Sequence, residues 1–125
     1  YVTDGINCRV QAFDKDLAFV RQVGRMGDTP CSFARPKGVA ADRHGHVYVV
    51  DAAFNNVQIF DREGRLLLTF GDMGHGVGQM WLPLGIHVDQ HDRIYVADRY
   101  NCRLQIFQYL DEPTSIQNVE ARPGE

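Results

Sequence analysis

The 125-residue sequence predicts an all-β protein built from small antiparallel sheets repeated along the chain. Three observations carry that expectation. The phrase YVTDGINCRVQAFD at position 1 returns as YVVDAAFNNVQIFD at 48 and as YVADRYNCRLQIFQ at 95, a period of 47 residues; a period of that length marks a repeat architecture. Short runs rich in Val, Ile, Tyr and Phe are separated by turns containing Gly, Asp and Pro, which favours strands over helices. The run Val47-Tyr48-Val49-Val50 is apolar at every position, so both faces of that strand need cover.

The register holds through the whole unit. Val2, Val49 and Val96 align, as do Asp4, Asp51 and Asp98, Gln11, Gln58 and Gln105, and Phe13, Phe60 and Phe107. The connecting segment repeats as well, with Gly24 and Gly71, Gly27 and Gly74, Pro36 and Pro83, Gly38 and Gly85, and Asp42 and Asp89 in step. In the one complete unit, 37–71, four strands are expected at 38–42, 46–51, 57–61 and 66–71, joined by hairpin turns at Arg43-His44-Gly45 and Arg62-Glu63-Gly64. Residues 1–24 form a partial unit that lacks its innermost strand. Residues 84–108 supply three strands, and 111–125 reads as a polar tail in which SIQNVEA is a weak candidate for a last strand. Four-stranded units whose faces both need cover stack around an axis as a β-propeller.

The phrase Y-V-x-D-x-x-N-x-R-[VL]-Q-x-F, preceded by P-x-G-[VI]-x-x-D, resembles the NHL repeat family of β-propellers, and the resemblance runs from Tyr1 to about Phe107. Three positions depart from it. Phe54 stands where Asn7 and Asn101 stand, Asn56 replaces Arg9 and Arg103, and Leu17 replaces the turn glycine Gly64. The resemblance implies a closed ring of about six blades, which at this period needs roughly 280 residues. The chain is therefore expected to be the C-terminal part of a longer propeller, or one piece of a ring completed by other copies.

Composition narrows the function classes. A net charge of −3, with Lys only at 15 and 37, argues against a nucleic-acid coat, where a basic excess is the rule. No apolar run is long enough to span a bilayer, and no basic-then-apolar leader is visible at the N-terminus. Cys8, Cys31 and Cys102 are odd in number and show no CxxC spacing. Cys8 and Cys102 lie two periods apart, too far for one disulfide in a ring of blades, so free thiols are expected. The resemblance suggests a periplasmic or extracellular setting.

His44 and His91 occupy equivalent turns, with His46 nearby, and read as solvated turn residues. His87, in LGIHVD, is expected on the innermost strand lining the channel, where the preceding unit has Ala40. Some propellers similar to this family are metal-dependent lyases with channel histidines, but a metal site needs three or more converging ligands and His87 is the single candidate here. GxSxG, HExxH and phosphate-loop patterns are absent from the sequence, Cys31 has no His–acid arrangement around it, and no cofactor is implied.

The loops between second and third strands should gather with the blade linkers on one face. That face should present Arg9, Phe54, Asn55, Trp81, Arg99, Tyr100 and Arg103 as partner-binding candidates, joined by Met26, Phe33, Arg35, Lys37, Asn56, His75, Met80 and Asn101. Arg and aromatic residues among small polar ones are the material of interaction hot spots. Arg99 and Tyr100 are not repeated in the other units, whereas Asp4, Asp51 and Asp98 read as hydrogen-bonding ties between blades. The expected function is a non-catalytic scaffold that binds a protein partner through the loop face. The alternatives are a channel-centred lyase or hydrolase using His87, and single-stranded RNA stacked on the same loops.

Overall fold

In the computed structural model, described over residues 1–27, 32–110 and 115–123, the chain is three blade sheets side by side with a two-stranded sheet in a linker, and no helix among the described residues. The expectations for Cys31, for the side chain of Met26 and for the rest of the tail lie outside that description. Blade one holds β1 (Val2–Asp4), β2 (Arg9–Phe13) and β3 (Phe19–Val23). Two short parallel strands, β4 (Arg25–Met26) and β5 (Ser32–Phe33), mark the linker that follows. Blade two runs β6 (Pro36–Ala41), β7 (Val47–Asp51), β8 (Asn56–Phe60) and β9 (Leu66–Phe70). Blade three runs β10 (Pro83–Val88), β11 (Arg93–Asp98), β12 (Arg103–Leu110) and β13 (Ser115–Pro123). In each blade the strands pair antiparallel in chain order, and the three blades form an arc that does not close.

The strands of blade two fall within one or two residues of their expected places. In the C-terminal segment the weak candidate strand SIQNVEA forms and runs on to Pro123. From Ser115 to Pro123 it pairs with β12, Gln105 facing Ala121 and Leu110 facing Ser115, as the fourth strand of blade three. Its hydrophobic signal is thin because it is an outermost strand, with Gln117 and Val119 exposed and Ile116 packed against the core.

Hairpin turns are fixed by aspartates one residue beyond a strand. Asp61 Oδ1 accepts the N–H groups of Glu63 and Arg65, and Asp42 and Asp89 hold the turns after β6 and β10 in the same way. Such Asx turns leave one residue in the left-handed region. Gly64 takes it at φ 83°, and Leu17 takes the equivalent place at 65°, a conformation in which its Cβ is strained.

The fully buried β7 explains the stacking. Val47 and Val49 pack with Val10, Val23, Phe33 and Phe60 between blades one and two. Tyr48 and Val50 pack the other way, with Val88, Ile94, Val96 and Phe107 between blades two and three. The innermost strands β6 and β10 approach so closely that a Cβ on Gly38 would lie 2.6 Å from the Leu84 carbonyl oxygen, whereas one on Gly85 would meet only the Ala97 methyl at 3.6 Å. The Gly38→Ala variant is expected to lose about 1–3 kcal/mol of stability, the cost of overpacking against rigid backbone. Gly85→Ala should be near neutral, and urea unfolding of the two side by side checks the contrast.

Candidate functional site: the loop face of blade three

In blades two and three the strand-end aspartate clamps the linker that enters its own blade. Asp51 accepts the backbone N–H groups of Ala34 (2.7 Å) and Arg35 (3.2 Å) from the linker, and of Ala53 and Phe54 from its own loop. Asp98 accepts Trp81 N–H at 2.7 Å, Asn101 Nδ2 at 2.8 Å and Arg103 Nε at 2.9 Å, and is fully buried. The repeat glutamines finish the clamp from the donor side. Gln58 Nε2 donates to Ser32 O at 2.8 Å, and Gln105 Nε2 donates to Gln79 O at 2.6 Å.

Arg103 is a structural residue in this setting. Its Nη1 donates to His75 O, and its Nη2 donates to Gly76 O and Gln79 O, all at 2.8–2.9 Å. Its fork is thus occupied by linker carbonyls and Asp98. Arg9 makes the equivalent pair with Asp4 at 3.0 Å. Asn55 is buried, sits at φ 54° and accepts Leu82 N–H at 2.8 Å, tying the loop of blade two to the linker of blade three. Cys8 holds the same backbone conformation at φ 51°, its thiol 3.4 Å from Ala34 O, and Cys102 does so at φ 50° while exposed. Phe33 and Met80, expected on the loop face, are buried beneath it, and Phe54 is half-buried.

Trp81 and Tyr100 meet on top of this clamp. Their rings stack at 4.7 Å with an interplanar angle of 28°, and the His75 ring lies 4.9 Å from Trp81 on its tilted side. The backbone locks the pair, since Tyr100 N–H donates to Trp81 O at 3.0 Å. His75 Nδ1 lies 2.5 Å from Asn101 Oδ1, a contact that makes Nδ1 the donor, and Asn101 Nδ2 in turn donates to Gly74 O and Asp98. Tyr100 is 60% exposed, and Arg99 beside it is exposed too. The result is a rigid, half-exposed aromatic platform. Sequence reasoning named its Trp and Tyr as separate candidates; the stacking with His75 depends on the linker folding back over β12, which the repeat pattern alone does not show.

The histidines of the opposite face serve other ends. His46 Nδ1 lies 2.8 Å from Asp42 Oδ2, and His44 Nε2 lies 3.4 Å from Asp92 Oδ2, bridging turns of blades two and three. His87 is exposed, its ring 6.0 Å from that of Tyr95. Its repeat counterpart Ala40 packs against the core between blades two and three, so His87 belongs to the blade face that a following blade would cover. Among the described residues, no group of three or more His, Cys, Asp or Glu side chains is placed to hold a metal ion.

Burial pushes the Asp42 carboxyl up, but the His46 N–H, the Tyr48 hydroxyl at 2.9 Å and the His46 ring outweigh it and hold the group below its ordinary value. Burial, and then the same carboxylate, push the Tyr48 phenol upward.

Stacked four-stranded antiparallel sheets joined by clamped linkers define a β-propeller. A family model for the NHL repeat matches residues 33–60 and 80–107, so two NHL repeats lie within this propeller fold. No curated protein matches the sequence. Among solved structures, the chain is similar to virginiamycin B lyase from Staphylococcus aureus in its catalytically inactive form with quinupristin, at 12% identity and a TM-score of 0.65, covering 94% of this chain and 36% of that one. It is also similar to a functionally unknown protein from Desulfotomaculum acetoxidans DSM 771, at 18% identity and a TM-score of 0.64, covering 94% and 35%. The chain thus spans about a third of the length of these structures, and at such identities the likeness is one of fold.

Two outcomes follow from the clamp and the turn. Asp98→Ala should cost about 2–3 kcal/mol, because it strips the acceptor from Trp81 N–H, from Asn101 and from the half-buried Arg103. Asp4→Ala, at a more exposed pair, should cost clearly less, and urea midpoints compare them. For Asp42, the folded carboxyl takes its proton at lower pH than the unfolded one. Its contribution is complete above about pH 4 and is lost as pH falls through the folded-state value. Thermal unfolding from pH 6 to pH 3 should show a flatter acid limb in Asp42→Asn than in the parent.

Proposed function

We propose that this chain is a non-catalytic propeller scaffold that binds a protein partner through its loop face, with Trp81, Tyr100 and Arg99 at the centre of the contact. The observation that carries this reading is the His75–Trp81–Tyr100 stack, half-exposed yet fixed by Asp98, Asn101 and Arg103. Aromatics held in place before binding lose little conformational entropy on association, which is what interface anchors need. Arg9, Asn55 and Arg103 then support the face from within, and Phe54 lines its blade-two side. Any further blades of the ring are supplied by a longer chain or by other copies. A lyase reading needs ligands for His87 from those other blades, whereas the aromatic platform is complete within this chain.

Trp81 is the sole tryptophan, so its fluorescence reports directly on the platform. A photo-crosslinking residue at position 99 should capture a defined partner, one at position 63 on the opposite face should not, and Trp81→Ala or Tyr100→Ala should abolish capture with the fold retained. Capture that survives both substitutions in folded protein would overturn the reading.

A further inference from the structure

A cleft of about 340 Å³ opens between blades one and two, beside the hairpin turns and away from the loop face, lined in part by Tyr1, Phe13, Val20, Arg21 and Arg62. Its origin is visible in the repeat. One period on, at the equivalent place between blades two and three, Ile59 is fully buried, Leu68 packs against the core, and Tyr109 is buried with its ring 6.3 Å from that of Tyr48. Between blades one and two those three positions are Ala12, Arg21 and Arg62. Two large apolar side chains have become guanidinium groups and a third has shrunk to a methyl, so the core of one interface is a lined cavity in the other.

The charge of the cleft has no internal answer. The Arg21 guanidinium has no hydrogen-bond or ion-pair partner among the described residues. Arg62 lies across Gly45, where any Cβ would collide with its Nε, and donates that Nε to His44 O at 3.1 Å. Its terminal nitrogens have no partner among the described residues. The nearest carboxylates are engaged elsewhere: Asp14 accepts from Asp16 and Ala18 N–H, and Asp61 and Glu63 pair with Arg65. None of them lines the cleft.

We propose that this cleft is a binding site for a small anionic amphiphile, a carboxylate or phosphate carried on an apolar or aromatic body. The anion is received by the Arg21 and Arg62 guanidiniums, whose planar forks match either group. The body lies against Val20 and the flanking Tyr1 and Phe13 rings, which line the cleft with it. The volume is that of a small ligand site. The site is independent of the loop face.

The test is a ¹⁵N NMR titration of the chain with 3-phenylpropionate, phenyl phosphate and the uncharged 3-phenylpropanol. Saturable shifts are expected at the Ala12, Val20 and Gly45 amides, with a Kd on the order of 1 mM for a probe of this size. The alcohol should bind about tenfold more weakly, the loss of one charge-assisted contact. The stronger of the two anions identifies the natural head group. Arg21→Met should weaken both anions about tenfold and leave the alcohol unchanged. The variant combining Ala12→Ile, Arg21→Leu and Arg62→Tyr should fill the cleft as its counterpart is filled, abolishing binding without lowering the urea midpoint. Equal affinity for acid and alcohol, unchanged affinity in folded Arg21→Met, or shifts centred on Val2 and Phe19 instead of the cleft would each overturn the proposal.

Discussion

The fold depends on a carboxylate at the end of the second strand of each blade. A β-sheet satisfies its own backbone, but the linker between two sheets cannot, and buried N–H groups without partners are costly. Asp51 and Asp98 supply those partners for Ala34, Arg35 and Trp81. They also fix where the next blade begins, because Pro36 and Pro83 open their strands only two residues past Ala34 and Trp81. The D-x-x-N-x-R-x-Q pattern is thus a device for folding a linker onto a sheet, and the chemistry of one residue, Asp98, organises four others.

The clamp also explains the stacking of unlike blades. Once each linker is pinned, β7 can be apolar on both sides, with odd residues facing blade one and even residues facing blade three. The same alternation in blade one leaves Val2, Phe13 and Phe19 exposed at 53%, 37% and 57%, where the counterparts Val49 and Phe60 are fully buried and Leu66 partly so. That face has the composition of an interior without a neighbour, and it asks for another sheet.

The sequence made the repeat legible because every copied residue answers a need that recurs in each blade: a turn glycine, a clamp aspartate, a strand valine. What it made hard to read were destinations. Arg9, Asn55 and Arg103 share these loops with Arg99 and Tyr100, yet Arg9 turns back to Asp4, Asn55 and Arg103 turn into the linkers, and the last two face outward. The difference is visible only once the linker carbonyls of His75, Gly76 and Gln79 are in place to receive a guanidinium. The outer strand β13 was hard to read for a related reason. An edge strand covered on one side needs few apolar residues, so Ser115–Pro123 carries almost none of the signal that marked β7.

Residues that recur in register are accounted for by the architecture, so it is the departures from register that are free to carry function. Trp81 stands where the preceding unit has Ala34, and Tyr100 where it has Ala53; the clamp beneath them, Asp98 and Gln105, matches Asp51 and Gln58. The platform is therefore an addition to an unchanged support, and its two rings meet only because that support sets their backbones 3.0 Å apart. The cleft between blades one and two is the converse, a subtraction. Replacing Ile59, Leu68 and Tyr109 by Ala12, Arg21 and Arg62 gives up apolar packing that the neighbouring interface retains. A scaffold whose stability rests on clamps can lose one patch of packing in this way and still hold its blades in place, which is how a repeat protein acquires sites without altering its repeat.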